Sequence, residues 1–181
     1  MSRRINKILL KSAAFFLAAG GVLFSCIAPA VPAERSGPTD NPVVRIIIEK
    51  SKRTMTLLKQ DQEARNYRIA LGREPVGPKV MQGDNRTPEG LYFVDEKIRN
   101  SIYHRALHLT YPNLDDLERA KSLGVQPGGG IMIHGMRDEQ MWIGDVQYLF
   151  NWTNGCIALT NREIEEVWDL VALWTPVEIR P

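Results

Sequence analysis

Ile131-Met132-Ile133-His134-Gly135 and Trp152-Thr153-Asn154-Gly155-Cys156-Ile157-Ala158-Leu159 are the two ends of one segment, and together they decide how this chain is read. Each contains a short apolar run rich in branched residues, the pattern of a buried strand. A histidine stands at the rim of the first strand, and a cysteine stands at the entrance of the second, 22 positions later. Gly135 permits an abrupt turn after the histidine. Around Cys156, Gly155 would let a substrate carbonyl approach, and nearby backbone N–H groups would receive an oxyanion. The attacking species of such a site is the thiolate, so His134 must come within hydrogen-bond reach of Cys156 to take its proton.

Outward from this segment the pattern stays β-rich. Residues 43–49 and 54–59 read as a hairpin across the polar turn 50–53, and 67–71 continues the series. Residues 72–83, with Pro75 and Pro78, read as a loop, and 91–94, 102–110, 131–134 and 175–179 are further strand candidates. Two helices are expected. Asn113 caps the first, over 114–122, which stops at Gly124. Asn161 caps a longer one through Leu173, with Ile164, Val167, Trp168, Val171 and Leu173 as its apolar stripe. The expected fold is one mostly β domain with a few short helices.

The chain has 181 residues, with 23 basic and 21 acidic groups. No acidic residue precedes Glu34, and Arg3, Arg4, Lys7 and Lys11 lie before it. The remaining 148 residues therefore carry 19 basic against 21 acidic groups, a net charge of −2. A domain with that balance has no excess charge to neutralise a run of phosphates, which argues against nucleic acid as a partner.

Residues 1–33 read as an export signal, a basic start followed by an apolar stretch over 13–24 that is too short to span a membrane. Ala28-Pro29-Ala30 and Val31-Pro32-Ala33 offer small-residue cleavage sites. Leu23-Phe24-Ser25-Cys26 is the alternative, a lipoprotein signal with lipid on Cys26, although Phe24 is bulky for that box. Cleavage after Ala33 is preferred. The expected location is the periplasm or cell envelope, with membrane contact only through the signal or that lipid. Residues 34–42 form a short tether, and 43–181 form the domain.

Cysteine counting then isolates Cys156. Cys26 is either discarded or blocked, so the exported domain keeps one thiol and cannot form an internal disulfide. A lone cysteine is by default a small buried hydrophobe. The glycine before it, the two small polar residues and the upstream His-Gly are what favour a nucleophile.

His134-Gly135 followed by Thr153-Asn154-Gly155-Cys156-Ile157 resembles the YkuD-type L,D-transpeptidase signature. Gly83-Asp84-Asn85-Arg86-Thr87-Pro88-Glu89-Gly90 is similar to a loop of the same family, and the likeness covers nearly everything from Val43 onward. The resemblance implies a β-sandwich with a small capping element and an enzyme needing no cofactor and no metal. It implies Cys156 as nucleophile, His134 as general base, and the carbonyl of Gly135 as the group that orients the imidazole. The implied reaction is attack on the peptide bond between the L-centre of meso-diaminopimelate and the terminal D-Ala of a peptidoglycan stem. The thioester then passes to an amine of another stem or to water.

Two positions depart from the family pattern. Ala158 stands where many members carry Arg or Asn, and Asn154 stands where many carry His. Neither touches the thiol–imidazole pair, but both bear on substrate and acceptor, so an L,D-carboxypeptidase or a hydrolase of stem adducts is the alternative. A non-catalytic peptidoglycan-binding module is a second one. Papain-like enzymes place Cys before His, and sortases carry a different strand ahead of the cysteine. Thr153, Asn154, Gly155 and Trp152 are expected to contact substrate or oxyanion. His104 and His108 share a strand face, a polar wall near the cleft, and His108 is a candidate for substrate contact. Arg105 between them stands where a zinc-protease motif needs Glu. Lys79 and Arg86 read as solvated charges, Trp168 as core, Trp174 as closing the last helix, and 136–150 as a segment able to lid the cleft.

Overall fold

The computed structural model describes residues 42–60 and 62–181. The expected signal (1–33) and the tether, Pro42 apart, lie outside the described residues. Eight strands carry the fold: β1 (Arg45–Glu49), β2 (Thr54–Lys59), β3 (Gln62–Arg68), β4 (Gly90–Ser101), β5 (His104–Leu109), β6 (Met132–His134), β7 (Ile157–Ala158) and β8 (Pro176–Arg180). Two α-helices, α1 (Leu114–Ser122) and α2 (Asn161–Leu170), and a 3₁₀ segment (Asp138–Leu149) kinked at Gly144 complete it.

The strands hydrogen-bond in the order β3-β2-β1-β8-β4-β5-β6-β7. β4 is the hinge of this order. Its first four residues pair with β8, and from Val94 onward it pairs with β5 through two register shifts. Such bulges bend a strand, so one continuous sheet becomes two halves that share a core. Ile46, Ile48, Met55, Leu57, Tyr92, Val177 and Ile179 enter that core from the first half, and Leu107, Leu109, Ile133 and Ile157 from the second. Period-two alternation of apolar residues along β1, β2 and β8 produces this one-sided burial.

The chain just after β3 closes the sheet on itself. Ala70 exchanges two backbone hydrogen bonds with Ala158, and Leu71 and Arg73 bond Thr153. The free edge of β7 is thereby covered by a segment nearly ninety residues earlier.

The hairpin of β1 and β2 and the helix at 114–122 lie where the sequence reading puts them. Helix α1 opens with a capping box in which Asn113 accepts from Asp116 N–H and Asp116 accepts from Asn113 N–H. The second helix differs. Its cap is Thr160, reciprocated by Glu163, and it ends at Leu170. Lys97 donates to the carbonyls of Trp168 and Val171, so a cation satisfies the helix C-terminus there. Trp168 is core as expected, but Trp174, with φ of 65°, is largely exposed beyond the helix end.

Lys50, expected in a polar turn, is buried. Its ammonium group donates to the carbonyls of Gly77 and Thr87 and to Glu89. All three of its donors are used, which ties the 72–83 loop and the 83–90 segment to the turn between β1 and β2.

Candidate active site

β6 and β7 run parallel, with His134 paired to Ala158 and Ile133 to Ile157. Alternation puts Ile133 and Ile157 into the core and turns His134 to the opposite face. Cys156, two residues before Ala158, falls on that same face, diagonal to His134 across the ladder. Both line one cleft of about 470 Å³, together with Arg73, Tyr103, Met132, Arg137, Trp152 and Asn154.

The imidazole is held on three sides. Its Nδ1 lies 2.6 Å from the carbonyl oxygen of Gly135. A carbonyl only accepts, so Nδ1 carries the proton and Nε2 keeps its lone pair. Tyr103 stacks on the ring at 4.3 Å between centroids, and Trp152 meets it edge-on at 5.7 Å. Trp152 is fixed in turn by a bond from its indole N–H to Gln147, whose amide donates to the carbonyl of Ala158. Burial pushes the His134 pKa down to about 4, against the smaller opposing effect of the Gly135 bond. The ring is neutral at neutral pH.

Gly135 has a packing reason. A Cβ there would lie 2.6 Å from Asn161 Oδ1 and 2.9 Å from both Ile164 and the Tyr103 carbonyl. Asn161, expected as a helix cap, instead accepts from the N–H of Met136 at 2.6 Å and so pins the turn after the histidine.

The loop before Cys156 is organised by Thr153. Its hydroxyl donates to the Cys156 carbonyl at 2.7 Å and accepts from Gly155 N–H at 3.1 Å. That bond commits the Gly155 donor. A Cβ on Gly155, whose φ is 131°, would lie 2.6 Å from the carbonyl oxygen of Arg86. The glycine therefore admits the 83–90 segment on the side where a Cβ would stand. Asn154 is exposed, with its side-chain oxygen accepting from Arg73 at 2.9 Å, which leaves its NH₂ as a donor.

Cys156 is half-buried, its Sγ 3.5 Å from the Gly130 carbonyl. Burial pushes its thiol up, against lesser pulls from the Met132 N–H and the Lys79 charge. The thiol's hydrogen-bond partner is thus the Gly130 carbonyl and not His134, and both shifts favour the uncharged forms, a thiol and a neutral imidazole. A second cavity of about 320 Å³ reaches Cys156 from the side of Lys79, Asn85 and residues 128–130.

Other expectations shift. Lys79 is not solvated: it is buried against Asp84 at 2.7 Å and the Met81 carbonyl. His108 shares the sheet face of Met132, one strand over, but it is bound to Asp95 at 2.7 Å and does not line the cleft. His104 is bound to Glu165. Ala158 is fully buried. The 136–150 segment contributes Arg137 and Gln140 to the cleft wall, while Trp142 points to solvent. Tyr103, Arg73 and Arg137 carry no motif signal. They reach the site through strand pairing and the 3₁₀ segment, which the sequence pattern leaves undefined.

The model of the L,D-transpeptidase catalytic domain (YkuD) matches residues 43–179. The chain belongs to the L,D-transpeptidase family. It is 32% identical over 134 residues to YafK of Escherichia coli K12, a protein whose name assigns it provisionally to the L,D-transpeptidases, covering 71% of this chain and 47% of YafK. Among solved structures it is similar to Pgp2 of Campylobacter jejuni, a helical cell shape determining protein, with 27% identity and a TM-score of 0.60 over 78% of this chain and 48% of Pgp2. An L,D-transpeptidase from Mycobacterium smegmatis, 16% identical, shares the fold with a TM-score of 0.53, over 78% of this chain and 59% of that one. The chain spans about half the length of YafK and Pgp2. The mostly β sandwich expected of an L,D-transpeptidase is the observed fold.

Proposed function

We propose that this L,D-transpeptidase-family protein is an exported enzyme that cleaves peptidoglycan stem peptides through a Cys156 thioester, with His134 as general base. The observation that carries this reading is the buried imidazole, its Nδ1–H given to Gly135 and its Nε2 left free, in one cleft with the Cys156 thiol. Neither group is charged at rest, so the proton moves as attack begins. Nε2 takes the thiol proton while Sγ bonds to the carbonyl carbon between diaminopimelate and D-Ala. The imidazolium then protonates the departing D-Ala nitrogen as the C–N bond breaks. The next nucleophile gives its proton to the neutral imidazole, attacks the thioester carbonyl and releases the thiol. The side-chain amide of Asn154, whose oxygen faces Arg73, is one donor for an oxyanion.

One observation favours water as that second nucleophile. No described residue lining the cleft or the cavity beside it is acidic, whereas Arg73 and Arg137 are basic and Lys79 is already paired with Asp84. An amine acceptor arrives as an ammonium group and finds no counter-charge. Trimming of stems, an L,D-carboxypeptidase activity, is therefore the second reading.

Peptidoglycan sacculi and isolated tetrapeptide stems, incubated with the protein and with Cys156→Ser and followed by mass spectrometry, test both. New cross-links support transfer to an amine, and tripeptide stems with free D-Ala support transfer to water. Identical products from wild type and Cys156→Ser would end the enzymatic reading and leave a peptidoglycan-binding module.

A further inference from the structure

Two guanidinium groups flank the thiol–imidazole pair, and neither has an acid. Arg73 stands on the cysteine side, its backbone N–H bonded to the Thr153 carbonyl and its side chain to Asn154. Arg137 stands on the histidine side, its guanidinium 5.1 Å from the centroid of Tyr103, the ring that stacks on His134. Both line the cleft. Among the described residues neither forms an ion pair, although Glu74 and Asp138 are next to them in sequence. Their fixed partners are an amide oxygen and an aromatic face, which orient a guanidinium without cancelling its charge.

We propose that Arg73 and Arg137 form a two-point carboxylate clamp that straddles the reacting centre. This rests on the stem-peptide reading above. A donor of that class carries one carboxylate on the acyl side, at the side-chain end of the diaminopimelate, and one on the leaving side, at the terminal D-Ala. The two arginines supply one forked donor set to each side, the geometry that binds carboxylates in paired hydrogen bonds. The clamp makes the site specific for peptides with both charges. It positions the scissile amide between Cys156 and His134 by its two ends.

Alkylation of Cys156 measures the field of the clamp without any stem peptide. Iodoacetate and iodoacetamide react with the same thiol but differ in charge, so the ratio of their rates reports local positive potential. The full chain is used, and the Cys156 peptide is followed by mass spectrometry, because Cys26 is a second thiol. The iodoacetate-to-iodoacetamide ratio falls about threefold or more in Arg73→Gln and in Arg137→Gln, as for loss of one nearby charge, and stays near wild type in the Arg→Lys variants. A ratio unmoved by either Gln variant overturns the clamp.

Tetrapeptide stems amidated at one carboxylate at a time form the second arm. Each amidation raises KM about tenfold in wild type, as for loss of one charge-assisted bond, and adds nothing further in the matching Arg→Gln variant. Equal KM for free and amidated stems in wild type overturns the clamp as well. If no stem is turned over but the alkylation ratio falls as described, the anion site stands and the stem-peptide reading fails.

Discussion

The ring of Tyr103 lies 4.3 Å from that of His134 and is inclined to it by 29°, so the imidazole is a layer in a stack with Arg137 over the tyrosine. The tyrosine excludes water from the histidine and restricts its rotation. Tyr103→Ala is expected to lower kcat/KM about fivefold to tenfold, as for the loss of roughly 1 kcal/mol of ring contact. It also moves the acid limb of the pH–rate profile up toward 6.5 as the ring is hydrated, while Tyr103→Phe keeps both near wild type. A profile that does not move in the Ala variant would show that burial by other groups sets the imidazole's basicity.

The acid limb of wild type is the second expectation. With His134 held to a pKa of about 4 by burial, the imidazole stays competent down to that pH, and kcat/KM should fall only near 4 and not near 6.5. Burial raises the thiol, so iodoacetamide reacts slowly with Cys156 at neutral pH and faster only above the ordinary thiol range. Fast alkylation at pH 6 would instead indicate a thiolate–imidazolium ion pair.

Stability carries the same signature. Unfolded, the His134 side chain binds a proton below about 6.5; folded, it does so only below about 4. Between these limits the unfolded chain holds the extra proton, so stability falls as pH drops from about 6.5 to about 4 and this group has no further effect below. The whole window amounts to about 3 kcal/mol. Urea denaturation at steps across it should show the slope, and His134→Gln should flatten its share.

Gly155→Ala should cost at least about 2 kcal/mol, combining a strained φ with a Cβ driven to 2.6 Å from the Arg86 carbonyl. The measured quantity is the denaturation midpoint, and a neutral result would mean that the 83–90 segment yields easily.

Lys50→Met should lower stability by about 2 kcal/mol, because one buried and two partly buried acceptors lose their donor. Lys50→Arg is not expected to restore it, since a planar fork does not match three converging oxygens. Thermal denaturation of the two variants decides.

Much of the β1–β2 hairpin, α1 and the strand carrying His134 was legible, because period-two alternation, the Asn113 cap and branched runs are local signals. That His134 and Cys156 would line one cleft was legible through spacing and residue type, and the Gly135 contact of the imidazole only through family resemblance. What sequence misses is pairwise and distant. Asn161 looks like a cap and serves Met136, while Thr160 does the capping. Gly155 looks free to bear a side chain, and its Cβ position is taken by the Arg86 carbonyl. Lys50 looks like turn polarity and is a buried tie. Each depends on which backbone arrives from another part of the chain, a matter settled by strand order and not by neighbouring residues.

The pairing of Ala70 with Ala158 carries a consequence for how the protein comes to life. β7, only two residues long, holds the position of Cys156, and it is gripped on one side by β6 and on the other by residues that follow β3. Contacts of such sequence separation form late and slowly in folding. A chain in which this pairing has not yet closed therefore carries Cys156 without His134 on the same cleft. The cleft is assembled only when the first third of the domain locks onto its last, so under the proposed reading a chain damaged in either third has no site.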